Sequence, residues 1–209
     1  MISIIVPTMW KFAPFADFAS NLLKMNLVGE LIIINNDRNN TPNHKFLLDP
    51  KVKVFDFGKN IFVNPAWNLG VSLSKQDKLC IMNDDLEFDV KIFDLLKNEV
   101  NSNCGMIGVD IEDKSSNMRV EVIQEMSFGY ACLFFINKQS YIPIPNNIKI
   151  FYGDNWLFNI NKSLNKNNKK VFGISPRGFI SATSKNFMAH SYSDKDFYEL
   201  EYKKFLGTI

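Results

Sequence analysis

Short aliphatic runs alternate with amphipathic segments through residues 2–90, and this alternation limits the fold more tightly than any other feature. "ISIIVP" reads as a strand ended by Pro7, "ELIIINN" as a second, "VKVFDF" as a third and "KLCIMN" as a fourth. Between the first two, Phe15, Phe18, Leu22 and Met25 recur at helical spacing. "PAWNLGVSLSK" reads as a helix with Pro65 at its first position. After the fourth strand, Asp89 can cap a helix carrying Ile92, Leu95 and Leu96 on one side. Near-continuous aliphatic strands separated by helices imply a parallel sheet covered on both faces. Such sheets bind ligands outside the carboxyl ends of their strands. The polar stretches "PTMWK", "NNDRNN", "GKNIFVN" and "NDD" should therefore meet on one rim.

The second half has a different rhythm. "GMIGVDI", "MRVEVIQEM", "GYACLFFI", "KVFGI" and "SATSKNFMAH" read as strands, and "DNWLFNINKSL" as a helix among them. "NKSLNKNNKK" reads as a polar surface turn, and "SDKDFYELEYKKFL" as a C-terminal helix with Ser193 as its cap. The expectation is an α/β chain whose mainly parallel sheet continues into a mixed, partly antiparallel C-terminal extension. With 209 residues and no repeat or evident linker, it reads as a single domain over 1–209.

A net charge of +2, with no dense lysine or arginine cluster, argues against a nucleic-acid partner. Cys80, Cys104 and Cys132 are odd in number and far apart, which fits free thiols better than disulfides or a zinc site. "MISIIVPTMW" lacks a basic leader, and no run approaches the roughly 20 apolar residues that cross a bilayer. These features lead us to expect a cytoplasmic protein, soluble or peripheral to a membrane.

The turn after the first strand, "PTMWKFAP", has no glycine to cradle a dinucleotide, and the chain contains no P-loop and no G-x-S-x-G elbow. What the fourth strand does carry is Asn83-Asp84-Asp85. Adjacent acids at a strand tip suit Mg²⁺ or Mn²⁺ held jointly with a diphosphate. By themselves they more often mark a solvated turn before a helix.

Residues 2–90 resemble the nucleotide-binding half of glycosyltransferase family 2, which has the GT-A fold. "SIIVPTMWK" is similar to the family's opening strand and "LIIINNDR" to its second. "NPAWNLGVSLSKQDKLCIMNDD" is similar to the Asn-x-Gly helix that leads into the acidic DxD strand. The Asn83-x-Asp85 form is similar to that of the rhamnosyltransferase-like branch. The resemblance implies a nucleotide-binding half over about 1–90 and an acceptor-binding half over about 91–209. Pro7, Thr8 and Trp10 would line the base pocket and Asn36 would read a pyrimidine edge. Aspartate is commoner at that position in the family. Asn68 would hydrogen-bond the nucleotide, with Asn60 and Asn64 in the neighbourhood, while Gly70 would let helix and sheet approach. Asp85 would contact the metal, with either Asn83 or Asp84 near the ribose. In "FYGDNWLFNI", Asp154 would be the general base that takes the acceptor's proton, though a helix cap is its plain structural alternative. His190 would reach the metal or diphosphate, and His44 reads as surface. Gly129 would admit the acceptor. Trp156 would either stack on it or sit in the core.

The expected activity is a Mn²⁺- or Mg²⁺-dependent inverting transfer from a UDP- or dTDP-sugar to a glycan hydroxyl. The alternatives are a sugar-1-phosphate nucleotidyltransferase and a catalytically inactive glycan-binding relative.

Overall fold

The computed structural model describes residues 1–208 apart from 38, 41, 42, 114, 116 and 179–186. Its main sheet has eight strands in the order β3-β2-β1-β4-β8-β6-β9-β7. β1 (Ile2–Thr8), β2 (Val28–Asn35), β3 (Val52–Asp56) and β4 (Lys78–Met82) are mutually parallel. β8 (Leu133–Asn137) runs antiparallel to β4 and to β6 (Cys104–Val109). β9 (Asn167–Phe172) is parallel to β6, and β7 (Arg119–Val122) pairs antiparallel at the edge. The mixed extension expected of the second half is present. A separate ribbon joins β5 (Leu86–Glu87) to β10 (Arg177–Gly178).

The aliphatic runs are buried on both faces because successive side chains point opposite ways. Ile2, Ile4 and Val6 of β1 join one core with α1 (Phe15–Leu23) and α3 (Ile92–Leu96). Ile5 joins the other with α2 (Val63–Leu73) and α4 (Gly153–Ser163). β2 divides in the same way, Leu31 and Ile33 to the first core, Ile32 and Ile34 to the second. Gly70 is where α2 presses on the sheet: a Cβ there would stand 2.3 Å from Ile5 Cγ2. Gly70→Ala would gain about 0.5–1 kcal/mol in helix propensity but force overpacking worth about 1–3 kcal/mol. The clash is against a core isoleucine, so overpacking should win, and denaturant titration should show a net loss of stability.

Several boundaries differ from expectation. Helix α2 begins at Val63, so Pro65 is its third residue, still within the turn whose N–H groups need no helical partner. Asp89 takes the backbone N–H of Lys91 at 2.9 Å, one turn ahead of α3. The polar run 161–170 is mostly structured: α4 continues to Ser163 and β9 starts at Asn167. Two of its four asparagines, Asn161 and Asn168, are interior. Asn168 accepts from Met106 N–H and donates to Phe158 O, both at 2.9 Å, while Asn161 donates to Ser140 O and Leu157 O. Amides that replace backbone partners read as surface in a sequence, which is why the turn was overextended. The last helix, α5 (Met188–Leu206), starts five residues before Ser193, so Ser193 lies inside it. Of the strand expected over 181–190, residues 181–186 fall outside the described residues, and Met188–His190 are helical. Cys80, Cys104 and Cys132 are free and buried.

At the opposite end of the parallel strands from their carboxyl tips, buried Glu30 holds the α2–β4 connection. It accepts from Ser3 Oγ at 2.6 Å and from the N–H of Lys75, and it pairs with Lys53. Burial alone would raise its carboxyl; the Lys53, Lys75 and Ser3 contacts outweigh that and hold it below the usual range. A group depressed in the folded state stabilises above its unfolded pKa, about 4.3. That contribution is lost as pH falls through the folded value. Glu30→Gln should therefore flatten the acid limb of stability against pH in thermal melts, besides lowering stability at neutral pH.

Candidate active site

The carboxyl ends of β1–β4 open into one cavity of about 540 Å³, and the second half of the chain supplies its far wall. Pro7 and Thr8 come from the tip of β1, Asn36 follows β2, and Asn60 and Phe62 follow β3. Asn83, Asp84 and Asp85 follow β4. Opposite them stand Gly129, Cys132, Phe151, Tyr152, Asp154 and Asn155, with Phe187 and Ser191 from the start of α5. The four polar stretches converge.

The acidic pair is braced from the neighbouring strand. Thr8 donates its hydroxyl to Asp84 and accepts the N–H of Trp10 at 2.8 Å. Thr8 thus locks the β1 tip to the β4 tip. Burial pushes the Asp84 carboxyl above its usual range; the Thr8 bond works against this, and the charge of Asp85 adds to it. Two carboxylates crowded at one strand end disfavour a second negative charge, a conflict that a cation relieves.

Asp154 is placed by a segment held on both sides. Ile148, Lys149 and Phe151 give their carbonyls to Asn64: Asn64 N–H donates to Lys149 O at 3.0 Å. The Asn64 amide donates to Ile148 O at 3.3 Å and Phe151 O at 3.1 Å. The N–H groups of residues 149–151 go to Asp194 of α5, from Lys149 at 3.0 Å, Ile150 at 2.8 Å and Phe151 at 2.9 Å. Tyr152 then turns the chain at φ 61° into α4. A Cβ on Gly153 would meet Asn64 Oδ1 at 2.2 Å, so only glycine lets the helix start this close. Asp154 Oδ1 accepts the N–H of Asn155 at 2.9 Å, taking up one of the free N–H groups in the first turn of α4 while facing the cavity. Burial raises its carboxyl, against the pull of the Asn155 N–H and its own. A carboxylate raised toward working pH suits proton abstraction.

Of the residues singled out in the sequence, Pro7, Thr8, Asn36, Asn83, Asp84, Asp85, Gly129 and Asp154 line the cavity. Asn36 is also engaged structurally, accepting from Ile61 N–H at 3.1 Å. The structure does not bring Asn64, Asn68, Trp10 or Trp156 there. Asn68 donates to Ile144 O at 2.7 Å and accepts from Tyr141 and Ile144, pinning the 141–144 loop. Trp156 is buried in the second core and donates to Ile142 O at 3.2 Å, leaving no face for an acceptor. Trp10, at φ 58°, packs near Phe15 and beside half-buried His44 instead of facing the cavity. Gly129, at φ +71°, sits against Ile111, so its glycine is required by backbone and packing as well as by its place on the wall. The His190 ring lies 5.2 Å from that of Phe62, just behind the lining, and its neighbour Ser191 reaches the cavity.

Sequence reasoning did not single out Lys11, Phe62, Tyr152, Ser191 or Asp194. Lys11 was visible as a cation in the first strand-end turn. Asp194 was hidden among the charges of a helix that reads as solvated.

Among the described residues, no three of His, Cys, Asp and Glu lie close enough to hold a metal by themselves. A hard cation shared with a diphosphate needs only one or two carboxylates, and the oxygen donors of Asp84 and Asp85 fit that role. Among the described residues, His190 is not gathered with them.

No family model matches the chain, and no curated protein matches it in sequence. Among solved structures, residues 1–349 of S. aureus TarS share the fold. TM-score is 0.55 and identity 9%, over 82% of this chain and 57% of that one. The likeness is one of fold: an α/β, GT-A-like arrangement around a large, mostly parallel sheet. This chain spans little more than half of that TarS chain. No helix among the described residues is long and apolar enough to cross a membrane.

Proposed function

We propose that the chain is a glycosyltransferase that moves a sugar from a UDP- or dTDP-sugar to a glycan hydroxyl with inversion, aided by Mn²⁺ or Mg²⁺. The observation that carries this reading is the meeting of Asp85 and Asp154, from opposite halves of the chain, in one cavity at the carboxyl ends of the parallel strands. The shared fold of TarS, a GT-A-like glycosyltransferase, agrees with it.

In this account the strand tips of β1–β4 take the nucleotide, with Asn36 and Asn60 on the side of the base. Asp85, with Asp84 or Asn83 beside it, would hold the cation against the diphosphate. When bound, that ion offsets the charge growing on the leaving group. Asp154 takes the proton of the acceptor hydroxyl as that oxygen bonds to the anomeric carbon. The bond from that carbon to the diphosphate oxygen breaks, and the nucleoside diphosphate leaves with the electron pair. The desolvation that raises the Asp154 carboxyl raises its basicity for this step.

A panel of nucleotide sugars, tested for thermal stabilisation with and without Mn²⁺, checks the donor half, because a ligand of the folded state stabilises by mass action. A pyrimidine diphospho-sugar should stabilise most, and only with the metal. Release of pyrophosphate from UTP and a sugar-1-phosphate would instead mark a nucleotidyltransferase. No metal-dependent nucleotide binding at all would leave a glycan-binding protein.

A further inference from the structure

We propose that Asp194 is a positioning residue for Asp154, so that docking of the C-terminal helix and assembly of the catalytic wall are one event. This rests on the reading of Asp154 as the base. Asp194 is 1% exposed, and among the described residues of α5 it is the one buried side chain. The rest of the helix is held mostly by polar and ring contacts on α4. Tyr198 accepts from Asn159 at 2.8 Å, Tyr202 Oη and Ser163 Oγ are 3.1 Å apart, and the Phe205 ring lies 6.2 Å from that of Trp156.

A buried carboxylate on a half-exposed helix is costly unless its oxygens are satisfied. Here three consecutive backbone N–H groups satisfy them, and all three belong to residues 149–151. Ile150 and Phe151 line the cavity, and three residues beyond Phe151 is Asp154. The carbonyl side of the same segment is taken by Asn64 at the start of α2. The segment therefore hangs between the nucleotide half, through Asn64, and α5, through Asp194. Removing one anchor frees its N–H groups and lets the left-handed turn at Tyr152 relax. Charge-assisted bonds of this kind are about twice as strong as neutral ones, and a displacement near 1 Å at a reacting group can lower rate by about a hundredfold.

Asp194→Asn keeps the shape but replaces one accepting oxygen with an NH₂ group. It should lower kcat for transfer roughly ten- to a hundredfold with donor KM unchanged within about twofold. Amide hydrogen exchange should quicken over residues 149–155 while β1, β2 and β4 keep their protection. Asp194→Glu, which retains the acceptors on a longer stem, should recover part of the rate. Glu199→Gln, an exposed change on the same helix, should leave both measurements as they were. Unchanged exchange over 149–155, or equal losses in nucleotide binding and kcat, would overturn the inference, since the second pattern marks a general loss of fold. If the unaltered protein transfers no sugar, the proposed function falls. Exchange then decides the anchoring alone: faster exchange confined to 149–155 supports it, and no change refutes it.

Discussion

Asp154→Asn is expected to lower sugar transfer by about 10²–10⁴-fold while leaving metal-dependent nucleotide binding intact. The substitution separates two roles that the structure gives to one side chain. Asp154 accepts Asn155 N–H in the first turn of α4 and also faces the cavity. Asparagine keeps an acceptor oxygen for that N–H, so the fold and the place of the turn should survive. What asparagine cannot do is take a proton. If that hydrogen bond were the whole role, Asp154→Asn would be close to silent. Asp154→Ala, losing both roles, should add about 1 kcal/mol of destabilisation for the lost hydrogen bond to the same loss of rate. Single-turnover assays with the preferred donor, read beside thermal melts of each variant, check both.

Asp85→Ala is expected to abolish the part of nucleotide-sugar binding that depends on Mn²⁺. For a ligand present at about 100 times its Kd, the lost stabilisation is about 2.7 kcal/mol. Asp84→Ala should behave differently. Asp84 is tied to Thr8, so its loss loosens the join between the β1 and β4 tips and should lower stability even without ligand. Cys132 reports the change at Asp85 independently. Its thiol is pushed up to about 12, chiefly by burial and then by the charge of Asp85. Removing that charge should lower the thiol's pKa and quicken its alkylation at high pH. Equal metal-dependent binding in the unaltered protein and in Asp85→Ala would remove Asp85 from the metal site.

The parallel half of the fold was legible because its strands are interior on both faces, which leaves a continuous aliphatic trace in the sequence. The four polar strand ends followed from the same logic, since parallel strands with short polar tips must place those tips on one side. Asp154 was singled out through the family resemblance, since an acid after a glycine at a helix start equally suits a cap; its place on the cavity wall is what the structure adds. The asparagines were not legible. Asn36 and Asn60 face the cavity, whereas Asn64, Asn68, Asn161 and Asn168 hold backbone groups of other segments. An amide that serves a ligand and one that serves a loop look alike in sequence, because both offer a donor and an acceptor. Trp156 was ambiguous for a similar reason, and burial with a bond to Ile142 O decided it. Asp194 was hidden because its partners are backbone N–H groups some 45 residues earlier, which leave no side-chain signature. Tertiary partners of this kind are what a one-dimensional pattern lacks.

Anomalous diffraction from crystals soaked with UDP and Mn²⁺ tests the central claim most directly. The account predicts a single manganese peak within bonding distance of an Asp85 carboxylate oxygen and of the diphosphate, with Asp154 across the same cavity. Manganese and nucleotide bound away from the tips of β1 and β4, or a nucleotide held there with no ion at Asp85, would contradict it.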